Sequence, residues 1–131
     1  MATLSASCTL TSTDLTSDSM SVVISNDITV THTTGLARRP VPNTSKTSSS
    51  DLTIYTADDF SATAYVYVKN VDTTSTDYIY IYDDTTSGDP IILKLAGGDW
   101  AFLPTIADKT LKAYATTSGT IIESMVFGTD Q

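Results

Sequence analysis

The chain has 131 residues and a net charge of −8, and its fifteen acidic residues are fourteen aspartates and one glutamate. This length suits a single domain, and the acidic balance argues against binding nucleic acid or an anionic membrane, because phosphate groups are bound by clustered lysines and arginines. The 25 threonines and 16 serines, with abundant aspartate, favour strands and turns over helices. We therefore predict an all-β protein.

Short runs of alternating apolar and polar residues predict eight to ten strands, separated by clusters of turn-forming residues. The runs lie near 3–10, 20–25, 27–33, 52–56, 62–69, 77–83, 91–96, 99–103, 110–116 and 119–127. So many short strands in a chain of this size imply two packed antiparallel sheets, a β-sandwich of a jelly-roll-like kind.

Residues 1–34 are rich in serine and threonine and poor in large side chains, so we expect an N-terminal arm or an edge hairpin. The N-terminus has no basic residue and no long apolar run, which predicts neither a secretory signal nor a membrane span. Cys8 is the single cysteine, which excludes an intrachain disulfide and a multi-cysteine zinc site. We expect it to be a small side chain buried in a strand.

Residues 35–50 interrupt this rhythm with two prolines, both arginines and a serine run, and predict a long exposed loop. The larger apolar side chains concentrate after it, so residues 51–131 are expected to form the main core. Arginine is enriched at interfaces and pairs with carboxylates in a bidentate manner. Arg38 and Arg39 therefore either dock on a partner or lie in a solvated loop, and the sequence favours neither interpretation.

The tetrapeptide Asp-Thr-Thr-Ser begins at Asp72 and again at Asp84. This spacing equals one strand plus one turn. We therefore predict a three-stranded meander, built from 62–69, 77–83 and 91–96. Both aspartates are expected to accept hydrogen bonds from nearby backbone N–H groups in two similar turns.

A row of tyrosines marks the second of these strands. Tyr78, Tyr80 and Tyr82 should share one face, and the two intervening isoleucines should point to the core. The row could stack on sugar rings, line a protein interface, or stabilise the sheet through cross-strand ring contacts. The last two interpretations are favoured, because aromatic residues are ordinary in cores and interfaces. Whether Tyr65 and Tyr67 join the row depends on hairpin register.

Residues with the chemistry of a metal or catalytic site give weak signals. Asp83, Asp84 and Asp89 are a weak calcium candidate, because their spacing does not match an EF-hand loop. His32 is the sole histidine, and no nucleophile elbow or phosphate loop accompanies it. We expect an exposed or hydrogen-bonded histidine near a strand end. Neither an enzyme nor a bound metal or cofactor is predicted.

Trp100 follows the pair Gly97-Gly98 and precedes Phe102 and Pro104. It is either an aromatic anchor at an interface or part of a corner. In the favoured corner, the glycines permit a tight turn and the indole and Phe102 plug one end of the sandwich.

Glu123 shares a strand face with Ile121, Met125 and Phe127. If this face is buried within the chain, the carboxylate needs a cationic partner such as a lysine. The alternative is that the face packs on another subunit.

The C-terminal half carries five motifs in order: AYVYVKN, YIYIYDD, LKLAGGDWAFLP, TLKAYA and IIESMVFGTD. This series resembles small β-sandwich virion proteins of tailed bacteriophages, especially marine and cyanobacterial phages. In that family a corner of leucine, glycine, an acidic residue, an aromatic residue and proline precedes two closing strands, which end in a glutamate-containing apolar segment. The resemblance covers roughly residues 62–130 and concerns architecture, so it transfers no catalytic residue.

The resemblance implies a virion structural protein made in the host cytoplasm. We expect a capsid decoration or cement protein that forms homo-oligomers and binds the major capsid protein or other virion proteins. The N-terminal arm, the loop with Arg38 and Arg39 and one tyrosine face should supply its contacts. A tail or head–tail connector component and a carbohydrate-binding adhesin module are the alternatives.

Overall fold

A computed structural model describes residues 1–15 and 17–129, and within these ranges the chain forms eleven β-strands and no helix. The strands are β1 (Ala2–Ser12), β2 (Met20–Val30), β3 (His32–Thr33), β4 (Ala37–Pro40), β5 (Leu52–Tyr55), β6 (Thr63–Asn70), β7 (Ile79–Asp83), β8 (Ile91–Leu95), β9 (Trp100–Ile106), β10 (Leu111–Ala115) and β11 (Ile121–Gly128). The prediction of an all-β protein is confirmed.

The chain divides into two compact units, Met1–Thr31 and His32–Gln131. The first unit is a two-stranded antiparallel ribbon of β1 and β2, in register from Ala2 opposite Val30 to Ser12 opposite Met20. Each strand has eleven residues, so the ribbon is about 36 Å long at 3.3 Å per residue.

The second unit contains two antiparallel sheets. One has four strands in the order β5-β10-β7-β8. The other has five strands, with the order β3-β11-β6-β9 and with β4 also paired to β11. Strands β3 and β4 pair with different parts of β11, so together they form one interrupted edge.

Side chains from both sheets form one hydrophobic core, as in a β-sandwich. In β6 and β11 alternate residues are buried, because successive strand side chains point to opposite faces. The five-stranded sheet contributes Val66, Val68, Ile122 and Val126, among others. The four-stranded sheet contributes Ile54, Ile79, Ile81 and Leu111, among others.

The predicted meander is wrong, because β6 and β7 lie in different sheets. The short connection between them carries the chain across the sandwich. Asn70 holds this crossing, since its fully buried Nδ2 donates to the carbonyl oxygens of Asp77 at 2.7 Å and Leu95 at 3.2 Å. Only β7 and β8 pair as the meander predicted.

The predicted exposed loop at 35–50 is interrupted by β4, which pairs with β11. Val41 is buried in the core cluster, and its N–H donates to the Thr120 carbonyl oxygen at 2.9 Å. The short strand was missed because its two arginines and the following prolines obscure the alternation of four residues.

Candidate functional site

The outer face of the five-stranded sheet is apolar to an unusual degree. Alternation directs one set of side chains of β6, β9 and β11 away from the core, and many of them are large and apolar. They are Tyr65, Tyr67, Trp100, Phe102, Met125 and Phe127. We call this surface the aromatic face. The solvent side of an antiparallel sheet is normally polar, so this face is the strongest candidate for a functional site.

Cross-strand register joins these side chains into a continuous strip. Met125, Tyr67 and Phe102 are direct neighbours across β11, β6 and β9. The rings of Tyr65 and Phe102 stack with centroids 6.1 Å apart and an interplanar angle of 13°. The strip remains only half-buried, so its outer surface is open to a partner.

Three polar groups form a chain at one end of the aromatic face. Glu123 accepts a hydrogen bond from Arg38 Nε at 2.7 Å and one from the Tyr67 hydroxyl at 2.9 Å. These two donors hold the pKa of the Glu123 carboxyl below its usual value. Burial, together with the carboxylate, raises the pKa of Tyr67. The partner of Glu123 is therefore an arginine rather than a lysine.

Trp100 lies at the edge of the aromatic face, with 58% of its surface exposed. The prediction that it plugs one end of the sandwich is wrong, because strand parity places Ala101 and Leu103 against the core instead. The glycine turn before it is confirmed: Gly98 has φ +87°, and a Cβ at Gly97 would lie 2.3 Å from the Thr74 carbonyl oxygen.

Arg39, the neighbour of Arg38, points the other way. Its Nη1 donates to the Thr53 carbonyl oxygen at 2.9 Å, and its Nη2 donates to Ser124 Oγ at 3.3 Å. Thr53 belongs to one sheet and Ser124 to the other. Arg39 therefore links the two sheets, whereas Arg38, whose side chain is 64% exposed, lies on the aromatic face.

The predicted tyrosine row lies on the outer face of the four-stranded sheet. Tyr78, Tyr80 and Tyr82 are joined there by Tyr114 of β10, which sequence reasoning missed. The rings of Tyr80 and Tyr114 stack with centroids 5.2 Å apart, and Lys94 Nζ lies 4.0 Å from the Tyr78 ring centroid. Groups of the same chain thus contact the ring faces of Tyr78, Tyr80 and Tyr114. This matches the expectation that the tyrosine row stabilises the sheet through cross-strand ring contacts. Tyr65 and Tyr67 lie on the other sheet.

Tyr82 is the fully buried end of this row. Its hydroxyl donates to Asp51 Oδ2 at 2.8 Å and accepts from the Thr47 N–H at 3.3 Å. Burial, and next the Asp51 carboxylate, raises the pKa of Tyr82 well above its usual value. The segment just before β5 thus covers this end of the row, so Tyr82 faces neither solvent nor another chain.

The aspartates of the weak calcium candidate contact groups of their own chain. Asp83 accepts hydrogen bonds from the N–H groups of Thr85 and Thr86 and from the Thr86 hydroxyl. Burial raises the pKa of Asp83, but these hydrogen bonds and nearby Lys109 outweigh that effect and lower the pKa overall. Among the described residues no three His, Cys, Asp or Glu are grouped to hold a metal.

The repeated tetrapeptide behaves only partly as predicted. Asp72 accepts a hydrogen bond from the Thr74 N–H at 3.0 Å, as expected. In the second turn the preceding residue, Asp83, has this role, and Asp84 forms an ion pair with Lys112 at 2.7 Å. Asp89 has a positive φ of 46°, and its carbonyl oxygen accepts a hydrogen bond from Lys46 at 2.8 Å.

His32 lies in β3 with its ring 5.3 Å from the Phe60 ring, so it packs beside a core aromatic side chain. A shallow depression of about 250 Å³ is lined by Val71, Asp72, Thr73, Gly119 and Ile121.

The ribbon of the first unit is strongly two-faced. Its register places Cys8 opposite Ile24 and Leu10 opposite Val22, all on the face that we call the apolar ribbon face. Serines, threonines and Asp27 dominate the opposite face. Ile24 is 63% exposed and Leu10 54% exposed, while Cys8 is half-buried. The prediction of few large side chains here overlooked this segregation.

Comparison of the chain with protein-family models, with curated proteins and with solved structures found no match. In the described part of the chain no helix is long and apolar enough to cross a membrane. The functional interpretation therefore depends on the geometry of the surfaces described above.

Proposed function

We propose that the chain is a non-enzymatic structural protein of a tailed-phage virion, a capsid decoration protein that forms oligomers and bridges neighbouring shell subunits. The observation that carries this proposal is the aromatic face. Large apolar side chains concentrated on the outside of a small sheet mark a protein contact surface rather than a catalytic site.

The strand order supports a jelly-roll fold for this protein. If β3 and β4 are counted as one interrupted strand, the second unit has eight strands. When these are renumbered in chain order, with β3 and β4 as strand 1 and β11 as strand 8, the five-stranded sheet has the order 1-8-3-6 and the four-stranded sheet the order 2-7-4-5. Consecutive strands mostly alternate between the two sheets, which is the double Greek-key arrangement common in viral capsid domains. The fold supports the proposed function only by analogy, because one fold serves many functions.

The charge of −8 suits a protein partner better than a nucleic acid or a membrane. On a shell, the same contact repeats at every equivalent position. Many individually weak contacts then hold the layer in place through multivalency. The proposed partners are the major capsid protein and further copies of the chain, and the proposed location is the virion, after synthesis in the host cytoplasm.

The test is the copy number in purified virions, measured by quantitative mass spectrometry against an isotope-labelled standard of this chain. On the order of hundreds of copies per particle supports a shell protein, since shell sites repeat many times. A few copies to a few dozen supports the alternative of a tail or connector component. Complete absence from virions contradicts the proposal.

The carbohydrate-binding alternative has less support. Sugar binding would need open ring faces, yet Tyr80 and Tyr114 stack on each other and Lys94 covers Tyr78. A glycan array is expected to show no binding. Binding that is lost in Tyr78→Ala and kept in Tyr65→Ala, a tyrosine change on the other sheet, would instead favour an adhesin.

A further inference from the structure

The turn between β7 and β8 contains the peptide bond from Asp89 to Pro90. Of the four prolines in the chain, Pro90 is the one that follows an aspartate. An aspartate side chain can reach the carbonyl carbon of its own residue by closing a five-membered ring. A proline nitrogen, which is that of a tertiary amide, is more basic than an ordinary peptide nitrogen and departs more readily. This bond is therefore the one in the chain that a neighbouring carboxylate can cleave most easily.

The backbone at this bond is strained. Asp89 has a φ of +46°, whereas the residue before a proline favours a φ of about −120°. Among the described residues, Thr47 and Asp89 are the two non-glycine residues with positive φ, and for a branched side chain such as threonine this is a genuine outlier. The two residues lie in the two segments that the Lys46 side chain joins. Strain of this kind clusters at functional positions.

The Lys46 ammonium group lies on the carbonyl oxygen of the bond itself. Its Nζ donates to the Asp89 carbonyl oxygen at 2.8 Å and to the Gly88 carbonyl oxygen at 2.9 Å. The next residue, Thr47, donates its N–H to the hydroxyl of buried Tyr82 at 3.3 Å, which fixes the segment that carries Lys46. Attack on a carbonyl carbon places negative charge on the carbonyl oxygen. An ammonium group at this oxygen therefore stabilises the transition state.

Both sides of the bond are held by the end of β7 and its turn. The Asp89 N–H donates to the Thr86 carbonyl oxygen at 2.9 Å, and the Pro90 carbonyl oxygen accepts from the Asp83 N–H at 3.1 Å. The Asp89 carboxylate forms no hydrogen bond or ion pair with any residue that the structure describes, so it can turn toward its own carbonyl carbon. Anchored ends and an available nucleophile favour attack within the chain.

We propose that Asp89 cleaves the peptide bond to Pro90 in its own chain, with Lys46 stabilising the oxyanion. A carboxylate oxygen of Asp89 bonds to the Asp89 carbonyl carbon, and the bond from this carbon to the Pro90 nitrogen breaks. The nitrogen takes a proton from solvent and leaves as a secondary amine. Water then opens the five-membered cyclic anhydride to two carboxyl groups. The net reaction is hydrolysis of one peptide bond.

The cleaved chain keeps its sandwich. The fragments 1–89 and 90–131 stay joined, since β8 pairs with β7 and both β9 and β11 pair with β6. The reaction occurs once per chain and uses water as the only other reactant, so it goes beyond the proposed function without depending on it. A chain that cleaves itself but is absent from virions would overturn the virion proposal alone, and a virion protein that stays intact would overturn the self-cleavage alone.

The first experiment incubates the folded full-length chain at mildly acidic pH, which supplies the proton for the departing nitrogen. Mass spectrometry under denaturing conditions follows the intact mass over time. The fragments 1–89 and 90–131 are expected, with masses that sum to the mass of the chain plus one water. A parallel sample unfolded in urea at the same pH should cleave at least about 10-fold more slowly, because it loses the contact with Lys46.

Three substitutions assign the roles. Lys46→Met should slow cleavage of the folded chain by about 10-fold or more, since removing one donor at an oxyanion typically costs about 100-fold. Lys112→Met is the matched control, because it removes the same charge from a lysine that pairs with Asp84, and it should keep the wild-type rate. Asp89→Asn replaces the carboxylate with a much weaker nucleophile and should abolish cleavage. Circular dichroism verifies that each variant keeps its strands.

Hydroxylamine identifies the intermediate. It opens an anhydride in competition with water, so a part of fragment 1–89 should carry a hydroxamate at Asp89, which a contaminating protease does not produce. A folded chain that stays intact would overturn the inference. So would equal rates in the folded and unfolded chains, a Lys46→Met variant that cleaves as fast as wild type, or a fragment 1–89 without the hydroxamate.

Discussion

Arg38 and Arg39 are adjacent in the chain but belong to different environments. Strand alternation turns Arg38 to the aromatic face, where it binds Glu123, and turns Arg39 inward between the sheets. The sequence singled out this pair as one feature. The structure separates an arginine of the aromatic face from an arginine that links the two sheets of the sandwich.

The first prediction concerns Arg39→Lys. Lysine has a point charge on a flexible stem, so it cannot reproduce the planar guanidinium that reaches Thr53 and Ser124 together. The free energy of unfolding in urea should fall by about 1–3 kcal/mol. Arg38→Lys is the matched control, and it should have a much smaller effect because Arg38 is mostly exposed. Equal losses in the two variants would contradict a linking role for Arg39.

Tyr82→Phe tests the covered end of the tyrosine row. The change removes the hydroxyl between Asp51 and the Thr47 N–H and leaves buried polar groups without that partner. We expect a loss of about 1–3 kcal/mol in the free energy of unfolding. Tyr80→Phe, in the half-exposed middle of the row, should change it by less than about 0.5 kcal/mol. A larger loss of unfolding free energy in Tyr80→Phe than in Tyr82→Phe would show that Asp51 does not depend on the Tyr82 hydroxyl.

The Asp83 carboxylate should make the stability of the protein depend on pH. Its pKa is lowered in the folded protein, so its contribution to stability is complete above the unfolded-state pKa of about 3.9 and is lost as pH falls through the lower folded value. Asp83→Asn should therefore be less stable than wild type at neutral pH. The difference should shrink as urea unfolding is repeated at pH values below about 4. A stability difference between Asp83→Asn and wild type that does not change with pH would contradict the lowered pKa of Asp83 in the folded protein.

At the scale of elements, alternation predicted where strands lie but not how they pair. The runs at 62–69, 91–96 and 110–116 match β6, β8 and β10 closely. The sheet order depends on contacts between residues distant in sequence, such as those of Asn70, which no local pattern encodes. The strand β4 is too short for alternation to be recognised among arginines and prolines.

The aromatic face was only partly predictable for the same reason. The parity of β11 correctly grouped Glu123 with Met125 and Phe127, and packing on another subunit was one of the expected alternatives. The neighbours of these residues on β6 and β9 could not be predicted, because register is set by pairing across the sheet. The inward position predicted for Trp100 is wrong, because strand parity places its neighbours Ala101 and Leu103 against the core and leaves the indole on the outer face.

The glycine turn before β9 approaches the backbone of the connection between β6 and β7 closely, and two substitutions test this contact. In Gly97→Ala, the new Cβ would lie 2.3 Å from the Thr74 backbone oxygen, so the two connections must move apart. In Gly98→Ala there is open space, and only the positive φ of 87° is unfavourable. Gly98→Ala should cost about 1–2 kcal/mol, and Gly97→Ala should cost more because of the steric clash. Thermal unfolding of both variants checks this order, and the opposite order would contradict the close approach.

At the scale of the whole molecule, two features suit a chain that functions in an assembly. The ribbon segregates its apolar residues on one face, and the larger sheet carries aromatic residues on its outside. Exposed apolar surface of this kind supports the proposal that the protein is covered by partners in an assembly. Asp84 and the rest of the acidic loop, which first suggested a carboxylate site, instead build a turn and an ion pair.

The proposed function makes this chain a shell protein whose aromatic face is covered in the assembled particle. Cryo-electron microscopy of purified virions tests it most directly. We expect density for this sandwich at repeated positions on the outside of the head, with Trp100 and Phe102 of each copy in contact with a neighbouring chain. Virions without such density, or a shell protein whose aromatic face points into solvent, would contradict it.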